Sequence, residues 1–209
     1  MAEPPRPSPL YLLIGALSWP VLKLVFRSTA TGLEHLPPTG GYVLAANHWS
    51  NLDPWPLAIP LFPRRYLRFM AKSELFWFPL SAIITAGGGF RVRRGERDAE
   101  AVETAVALCR QGHVVVMFPE GTRRTKGLVK KHEAAAKPGA ARIALAAGVP
   151  LVPAAVAGTD RLMQLARLRV AYGPRIPLDD LADAGPRDAA DIATARLMAE
   201  IHRLEGTLA

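Results

Sequence analysis

The sequence predicts an α/β fold, a mixed and largely parallel sheet flanked by helices, with an N-terminal membrane-associated helical segment. Short apolar runs alternate with longer segments of helical periodicity, which is typical of strands joined by helical crossovers. The runs are apolar at successive positions, as in strands covered on both faces. The chain has 209 residues, 50% of them hydrophobic and 21% charged, so it can bury a core and is not a disordered protein.

The most apolar stretch is Leu10–Phe26. It is marginal for crossing a bilayer core of about 30 Å, and we expect Pro20 to break or kink it. The flanking residues do not match a secretory signal, so we do not expect secretion. We expect a helix or helical hairpin on a membrane surface, with Tyr11, Trp19 and Phe26 at headgroup depth. Packing on the domain's own core and a true membrane span are the alternatives.

Two regions are predicted, a membrane-associating helical segment at 1–30 and a single domain at 31–209. No internal repeat is visible, and the Pro/Gly clusters at 37–41 and 184–186 are short for interdomain linkers. The predicted elements of the domain are, in order, the strand Tyr42–Ala46, the helix Glu96–Arg110, the strand Val114–Phe118, the helix Gly139–Ala147, the strand Leu151–Ala157 and the closing helix Pro186–Leu208.

The single cysteine and the charge balance narrow the class of protein. Cys109 falls on the apolar stripe of its helix, so we expect a core residue rather than a nucleophile. One cysteine cannot form an intramolecular disulfide, which favours a reducing compartment. The net charge of +8, with its excess in residues 1–142, indicates partners that carry phosphate. Nucleic acid is a poor candidate for this partner, because the sequence has no zinc-ligand pattern and no basic strand interleaved with aromatic residues.

The clearest chemical signal follows the first strand of the domain. In Asn-His-Trp-Ser-Asn-Leu-Asp at 47–53, His48 and Asp53 have the spacing His-x4-Asp. A histidine can accept a proton from an alcohol near neutral pH, and a carboxylate on its other ring nitrogen fixes the tautomer and stabilises the imidazolium. The spacing alone is weak evidence for a catalytic pair. The competing interpretation is an aspartate that caps a helix beside a surface histidine.

Two further polar segments suggest phosphate binding. Phe118–Arg123 comes at the end of a predicted strand, where α/β proteins bind ligands. Gly121 permits close backbone approach, Arg123 offers a forked donor for phosphate oxygens, and we expect Glu120 to orient a neighbouring group. Arg94 follows three successive glycines and is a second phosphate candidate. Those glycines do not form a dinucleotide-binding fingerprint, because a valine stands where its third glycine should be.

Read in order, four blocks of the sequence resemble the glycerolipid acyltransferase family, in particular its 1-acylglycerol-3-phosphate acyltransferases. Connecting residues between 71 and 79 and between 139 and 144 are similar as well, and the resemblance spans roughly residues 35–160. The blocks are Asn-His-x4-Asp at 47–53, Gly-Gly-Phe-x-Val-x-Arg at 88–94, Phe-Pro-Glu-Gly-Thr-Arg at 118–123 and Val-Pro-Leu-Val-Pro at 149–153.

The resemblance implies a role for each of these residues. His48 is the general base that removes the proton from the free hydroxyl of a lysophospholipid, and Asp53 orients it. The acceptor oxygen then attacks an acyl thioester, and no covalent enzyme intermediate is needed. The residues implied to bind substrate are Asn47, Lys72, Arg94, Glu120, Gly121, Thr122, Arg123 and, on the acyl side, Pro153.

The expected enzyme is therefore a 1-acylglycerol-3-phosphate O-acyltransferase of phospholipid synthesis. It would transfer an acyl group from acyl-CoA or acyl-carrier protein and form phosphatidic acid, as a peripheral or monotopic protein on the cytoplasmic face of the cytoplasmic membrane. No cofactor is expected. Another lysolipid acceptor, such as a lyso amino-acid lipid, and a non-catalytic lipid-binding membrane module are the alternatives. A metallohydrolase is disfavoured, because the other histidines have no metal-ligand spacing with His48 and Asp53.

Overall fold

A computed structural model of the chain describes residues 7–92, 98–126, 129–130 and 136–208. The helical segments of at least five residues are α1 (Pro9–Pro20), a π-helical turn (Val21–Val25), α2 (Pro54–Ala58), α3 (Leu80–Ala86), α4 (Asp98–Arg110), α5 (Gly139–Ala147), a 3₁₀ segment (Thr159–Gln164) and α6 (Pro186–Thr207). Shorter 3₁₀ turns lie at Leu33–His35, Ile59–Leu61, Ser73–Leu75 and Asp179–Leu181.

The strands form one main sheet and one small ladder. They are β1 (Thr29–Thr31), β2 (Tyr42–Ala46), β3 (Leu67–Lys72), β4 (Gly89–Val92), β5 (Val114–Met117), β6 (Thr125–Lys126), β7 (Val129–Lys130), β8 (Leu151–Ala157) and β9 (Arg169–Tyr172). Among the described residues, the main sheet has seven strands in the order β1-β9-β8-β2-β5-β3-β4, and β6 pairs with β7. Every neighbouring pair of the main sheet is parallel except β8 with β9. The predicted mixed, largely parallel sheet is confirmed.

Strand β2 lies near the centre of this sheet and leads into the candidate site. It pairs with β5 on one side and β8 on the other, and all five of its residues are buried. Its continuously apolar sequence suits a strand covered on both faces. Helices α4, α5 and α6 cover one face, while α2 and the turn after it cover the other. Because β2, β5 and β8 run parallel, their carboxyl ends meet at one edge of the sheet.

The N-terminal segment packs partly on the domain. The α-helix ends at Pro20, and the chain continues as the π-helical turn. Proline has no N–H to donate to the carbonyl one turn earlier, so the α-helical hydrogen bonding is interrupted at this residue. Tyr11 packs against Tyr66 with ring centroids 4.6 Å apart, and Phe26 packs against Trp55. The expectation that Tyr11 and Phe26 lie at headgroup depth is therefore wrong, since both are buried in the domain. In the described part of the chain, no helix has the length and apolarity to cross a membrane.

The other predicted elements agree with the structure to within a few residues. Strand β5 ends at Met117, one residue earlier than predicted, and the ring of Phe118 stacks on His48. Cys109 is a core residue as predicted, with 1% of its surface exposed, and burial raises the pKa of its thiol to about 12. On α6 the predicted stripe is buried at Leu197, Ile201 and Leu204, but Ile192 is exposed.

Candidate active site

The candidate site begins where β2 ends. The backbone of Asp53 bonds back to Ser50, N–H to carbonyl at 3.1 Å, so residues 50–53 form a turn. Pro54 then starts α2, a position that suits proline because its missing N–H has no partner in the first helical turn. This turn folds Asp53 back toward His48. The structure therefore brings together the two side chains of the His-x4-Asp segment.

His48 and Asp53 form a short side-chain contact. His48 Nδ1 lies 2.7 Å from Asp53 Oδ2. The same carboxylate oxygen accepts the backbone N–H groups of Trp49 at 2.8 Å and Ser50 at 2.9 Å. Asp53 is completely buried, and these donors stabilise its negative charge where water does not reach it. An ionised carboxylate can accept hydrogen bonds but cannot donate them. We therefore assign the proton of the neutral imidazole to Nδ1, which leaves Nε2 as a hydrogen-bond acceptor.

An aromatic ring stacks on the imidazole of His48. The ring is that of Phe118, and the two ring centroids lie 4.1 Å apart with an interplanar angle of 15°. The His48 side chain is 16% exposed, and Nε2 has no hydrogen-bond partner among the described residues. A basic nitrogen that is oriented, partly exposed and not already bonded can accept a proton from a bound hydroxyl group.

The second oxygen of the Asp53 carboxylate has a partner of its own. Thr159 donates its hydroxyl to Asp53 Oδ1 at 2.5 Å, and Thr159 is 3% exposed. Gly158, just after β8, makes this possible with a φ of 93°, and a Cβ there would lie 2.4 Å from the Arg167 carbonyl oxygen. The carboxylate is thus bonded on both oxygens.

Arg124 joins the loop after β5 to the rest of the site. Its guanidinium bonds both carboxylate oxygens of Glu120, at 3.0 and 2.9 Å from Nε, and both oxygens of Glu205, at 2.6 and 3.1 Å. It also lies over the Trp49 indole, 5.1 Å from the ring centroid. The Arg124 backbone N–H donates to the His48 carbonyl at 2.9 Å. Two carboxylates therefore engage this one guanidinium.

Glu120 lies inside this cluster rather than at its surface. It is 3% exposed, and burial raises its pKa above that of an ordinary glutamate. The Arg124 guanidinium and the backbone of His48 act in the opposite direction, and the charge of Glu205 adds to the increase. The carboxylate of Glu120 thus orients an arginine, one of the orienting roles expected from the sequence.

Asn47 ties the end of β2 to two other elements. Its side-chain oxygen accepts the Val156 N–H at 2.8 Å, and its amide nitrogen donates to the Val156 carbonyl at 3.0 Å and to Glu205 at 2.7 Å. Asn47 is 1% exposed. Its amide group is therefore engaged by β8 and α6, and the residue fixes the backbone next to His48.

Two of the loop residues predicted to bind substrate are exposed beside this framework. Thr122 and Arg123 are exposed, and Arg123 has no ion pair among the described residues. Gly121 has a φ of 65°, and a Cβ there would lie 3.0 Å from the side chain of Lys137. The ammonium group of Lys137 thus lies close to the same loop. Exposed cations beside a tight glycine turn can hold an anionic group.

The remaining predicted residues are placed as follows. Lys72 is the last residue of β3, two strands from β2. Arg94 lies outside the described residues. Pro153 is buried within β8, and because its neighbours in the strand face the α2 side, its ring faces α6. His48 and Phe118 lie on the α2 side, so the structure does not bring Pro153 to the histidine.

Three residues of this framework were not singled out from the sequence: Thr159, Arg124 and Glu205. Thr159 follows the end of β8, and the rule that polar residues beyond parallel strands face a shared crevice could have identified it. Arg124 stands next to a predicted motif residue. Glu205 has no local signal, because its pairing depends on how α6 packs. Within the described ranges, no group of three His, Cys, Asp or Glu side chains is placed to hold a metal ion.

Several known proteins are similar to this chain in sequence or fold. A 1-acyl-sn-glycerol-3-phosphate acyltransferase of Bacillus subtilis is 28% identical over 84% of this chain and 86% of its own length. A 1-acyl-sn-glycerol-3-phosphate acyltransferase alpha of Homo sapiens is 36% identical over 61% of this chain, which spans 44% of that relative. The crystal structure of the 1-acyl-sn-glycerophosphate acyltransferase PlsC of Thermotoga maritima has the same fold, with a TM-score of 0.60, 21% identity and coverage of 93% of this chain and 87% of that one.

The sequence profile of one family covers most of the domain. The family is described as Acyltransferase, and its profile matches residues 27–157, more than half of the chain. That range contains the His-x4-Asp segment, the loop after β5 and all of β8. The chain is therefore a member of the Acyltransferase family, as its four sequence blocks predicted.

Proposed function

We propose that this acyltransferase transfers a fatty acyl group from a thioester donor, acyl-CoA or acyl-carrier protein, to the free hydroxyl of 1-acylglycerol-3-phosphate, giving phosphatidic acid. The observation that carries the proposal is the contact of His48 with Asp53, 2.7 Å between Nδ1 and Oδ2, with Nε2 left as an acceptor. The names of the Bacillus subtilis and human relatives support this choice of acceptor.

The reaction uses His48 first as a base and then as an acid. Nε2 accepts the proton of the acceptor hydroxyl while that oxygen bonds to the thioester carbonyl carbon. The tetrahedral intermediate collapses, the carbon–sulfur bond breaks, and the leaving thiolate takes the proton back from Nε2. Asp53 remains a carboxylate and stabilises the imidazolium between the two transfers. The acyl group passes directly between substrates, so no residue is acylated.

Phosphate recognition falls to Arg123 rather than to its neighbour. The guanidinium of Arg124 is occupied by Glu120 and Glu205. Arg123 is exposed beside it, and Lys137 reaches the same loop. Planar guanidinium groups bind phosphate oxygens in pairs, which suits the terminal phosphate of the acceptor. Arg94 is proposed as a second phosphate ligand.

The other predicted residues, apart from Pro153, divide into two groups. Thr122, Gly121 and Lys72 stay proposed substrate contacts, the first two because they border Arg123. Asn47 and Glu120 are proposed as positioning residues, because their polar atoms are engaged by protein groups. Since Pro153 faces α6, we do not assign it to an acyl-chain pocket.

The N-terminal segment is proposed to rest on a membrane surface. Several of its apolar side chains are exposed, including Leu17 at 65% and Leu24 at 77%. A water-soluble domain rarely exposes so many large apolar residues on one segment unless they contact something. A peripheral position on the cytoplasmic face of the membrane, with residues 1–30 as the attaching segment, would bring lysolipid and enzyme together.

Product analysis with matched acceptors tests the proposed substrate. The purified protein is incubated with acyl-CoA or acyl-carrier protein thioester and one of three acceptors: 1-acylglycerol-3-phosphate, 1-acylglycerol without phosphate, or lysophosphatidylcholine. Mass spectrometry of the lipids should show diacyl product with the phosphate monoester at a rate well above the other two. Acylation of lysophosphatidylcholine in preference would assign another lysolipid acceptor, and no product with any pair would favour a non-catalytic lipid-binding module.

A further inference from the structure

The geometry points to Thr159 as a positioning residue of the reaction, one that holds the Asp53 carboxylate in the orientation that His48 requires. This inference rests on the proposed function for its kinetic consequence, but the contact itself is independent of which lipid is acylated. Thr159 lies outside the matched family region at 27–157, and it acts through Asp53 because it is buried and donates its hydroxyl to that carboxylate.

Strand β8 sets the position of Thr159. The strand pairs in parallel with β2, so its end lies beside the end of β2, which leads to His48. Gly158 takes a left-handed conformation at the end of the strand, which turns the chain into the 3₁₀ segment that Thr159 begins. The hydroxyl of Thr159 then reaches Asp53 Oδ1 although 106 residues separate the two in sequence.

The two oxygens of Asp53 have separate tasks. Oδ2 accepts from His48 Nδ1 and from the N–H groups of Trp49 and Ser50. Oδ1 accepts from Thr159. With donors on both oxygens, rotation of the carboxylate about its Cβ–Cγ bond is restricted, and Oδ2 stays within hydrogen-bond distance of His48 Nδ1. Catalytic groups must be held closely in the productive geometry, so loss of this constraint slows the chemical step.

Isosteric substitution isolates the hydroxyl group. Thr159→Val keeps the shape of the side chain and removes only the donor, whereas Thr159→Ser keeps the donor and removes a methyl group. Thr194→Val is the matched control, because Thr194 is also buried and donates its hydroxyl at 2.7 Å, but to the Ala190 carbonyl of its own helix. Circular dichroism and thermal unfolding compare the folding of all three variants. If Thr159→Val does not fold, Thr159→Ala replaces it in the comparison with Thr159→Ser.

Steady-state kinetics with acyl-CoA and 1-acylglycerol-3-phosphate give the first readout. We expect Thr159→Val to lower kcat about ten-fold, a part of the roughly 10²–10⁴ that a well-placed general base contributes, with both KM values unchanged. Thr159→Ser should retain most of the wild-type kcat, and Thr194→Val should match the wild type. Equal kcat for Thr159→Val and Thr194→Val would overturn the inference. A fall in kcat that is the same in Thr159→Val and Thr159→Ser would also overturn it.

Proton NMR gives a second readout that needs no substrate. The Nδ1 proton of a histidine bonded to a carboxylate resonates far downfield of the amide protons, and it reports directly on the His48–Asp53 contact. We expect this resonance to shift or broaden in Thr159→Val and to stay unchanged in Thr194→Val. If the wild type transfers no acyl group, the proposed function fails, and this resonance still decides the role of Thr159. An identical resonance in wild type and Thr159→Val would refute it.

Discussion

Arg124 and Glu205 form a two-point ion pair across 81 residues of sequence, with Nη1–Oε1 at 2.6 Å and Nη2–Oε2 at 3.1 Å. Glu205 lies in the last turn of α6, outside the matched family region. It also accepts from Asn47, the residue before His48. The C-terminal helix therefore closes over both loops of the site, the one after β2 and the one after β5.

Removing the charge of Glu205 should weaken both the fold and the catalytic rate. In Glu205→Gln the partly buried Arg124 loses a charged partner, which should cost about 2 kcal/mol. For a domain of this size that corresponds to a fall of roughly 4–8 °C in the midpoint of thermal unfolding. We expect kcat/KM to fall about ten-fold, since misplacing reacting groups slows transfer even at small displacements. Calorimetry and steady-state acyl transfer measure the two effects.

Glu200→Gln is the control for that experiment. Glu200 lies on the same helix and pairs with Arg203, whose side chain is 56% exposed. Loss of this exposed ion pair should change the unfolding temperature and kcat/KM little. If Glu205→Gln and Glu200→Gln behave alike, Glu205 has no special role in the site.

Loss of Arg123 should weaken binding of one substrate only. Because its guanidinium is exposed and Arg124 is occupied, Arg123→Ala should raise the KM for 1-acylglycerol-3-phosphate about ten-fold or more and leave the KM for the acyl donor unchanged. Initial rates over a matrix of both substrate concentrations separate the two constants. Arg64→Ala, which removes another exposed arginine, should leave both constants as they are. An equal rise in both KM values for Arg123→Ala would count against a phosphate ligand at this position.

Charged residues on the N-terminal segment should abolish membrane binding. Leu17→Glu and Leu24→Glu place carboxylates among exposed apolar side chains, and desolvating a carboxylate in the acyl region is unfavourable. Co-sedimentation with phosphatidylglycerol vesicles should show most of the wild type bound and little of either variant. Ile192→Glu, at a 41% exposed position on α6, is the control and should bind like the wild type. Undiminished binding of Leu17→Glu and Leu24→Glu would exclude this segment as the membrane contact.

His113 should make the fold sensitive to acid. Burial, aided by the charge of Arg68, lowers the pKa of His113 from 6.5 to about 4. The unfolded chain therefore takes up this proton first, so the contribution to the free energy of unfolding is complete above pH 6.5 and is lost as the pH falls toward 4. Urea unfolding at a series of pH values should show a steeper decline between those limits for the wild type than for His113→Gln. Parallel declines would assign the acid sensitivity to other groups.

The sheet and its edge could be predicted from the sequence because their signals are local. Tyr42–Ala46 and Leu151–Ala157 are apolar throughout, and the structure has strands with the same bounds. Polar residues directly after such strands gave His48 and Glu120. The pairing of His48 with Asp53 followed from a short turn, which the spacing of the two residues permits.

Contacts between distant elements could not be predicted in the same way. Glu205 reaches Arg124 only because α6 packs on the face beside β8, and Thr159 reaches Asp53 only because β8 pairs with β2. An amphipathic pattern also does not say what an apolar face will contact. The sequence therefore predicts Tyr11 at lipid headgroups, although the ring packs against Tyr66 of the domain.

Thiol release from a long-chain acyl-CoA, with and without 1-acylglycerol-3-phosphate, tests the central role of His48 most directly. The wild type and His202→Ala, in which an exposed histidine of α6 is lost, should release thiol only when the acceptor is present. His48→Ala should be slower by at least about a hundred-fold, since general base catalysis contributes about 10²–10⁴ in rate. Acceptor-dependent release by His48→Ala at the wild-type rate would contradict the assignment of His48 as the base.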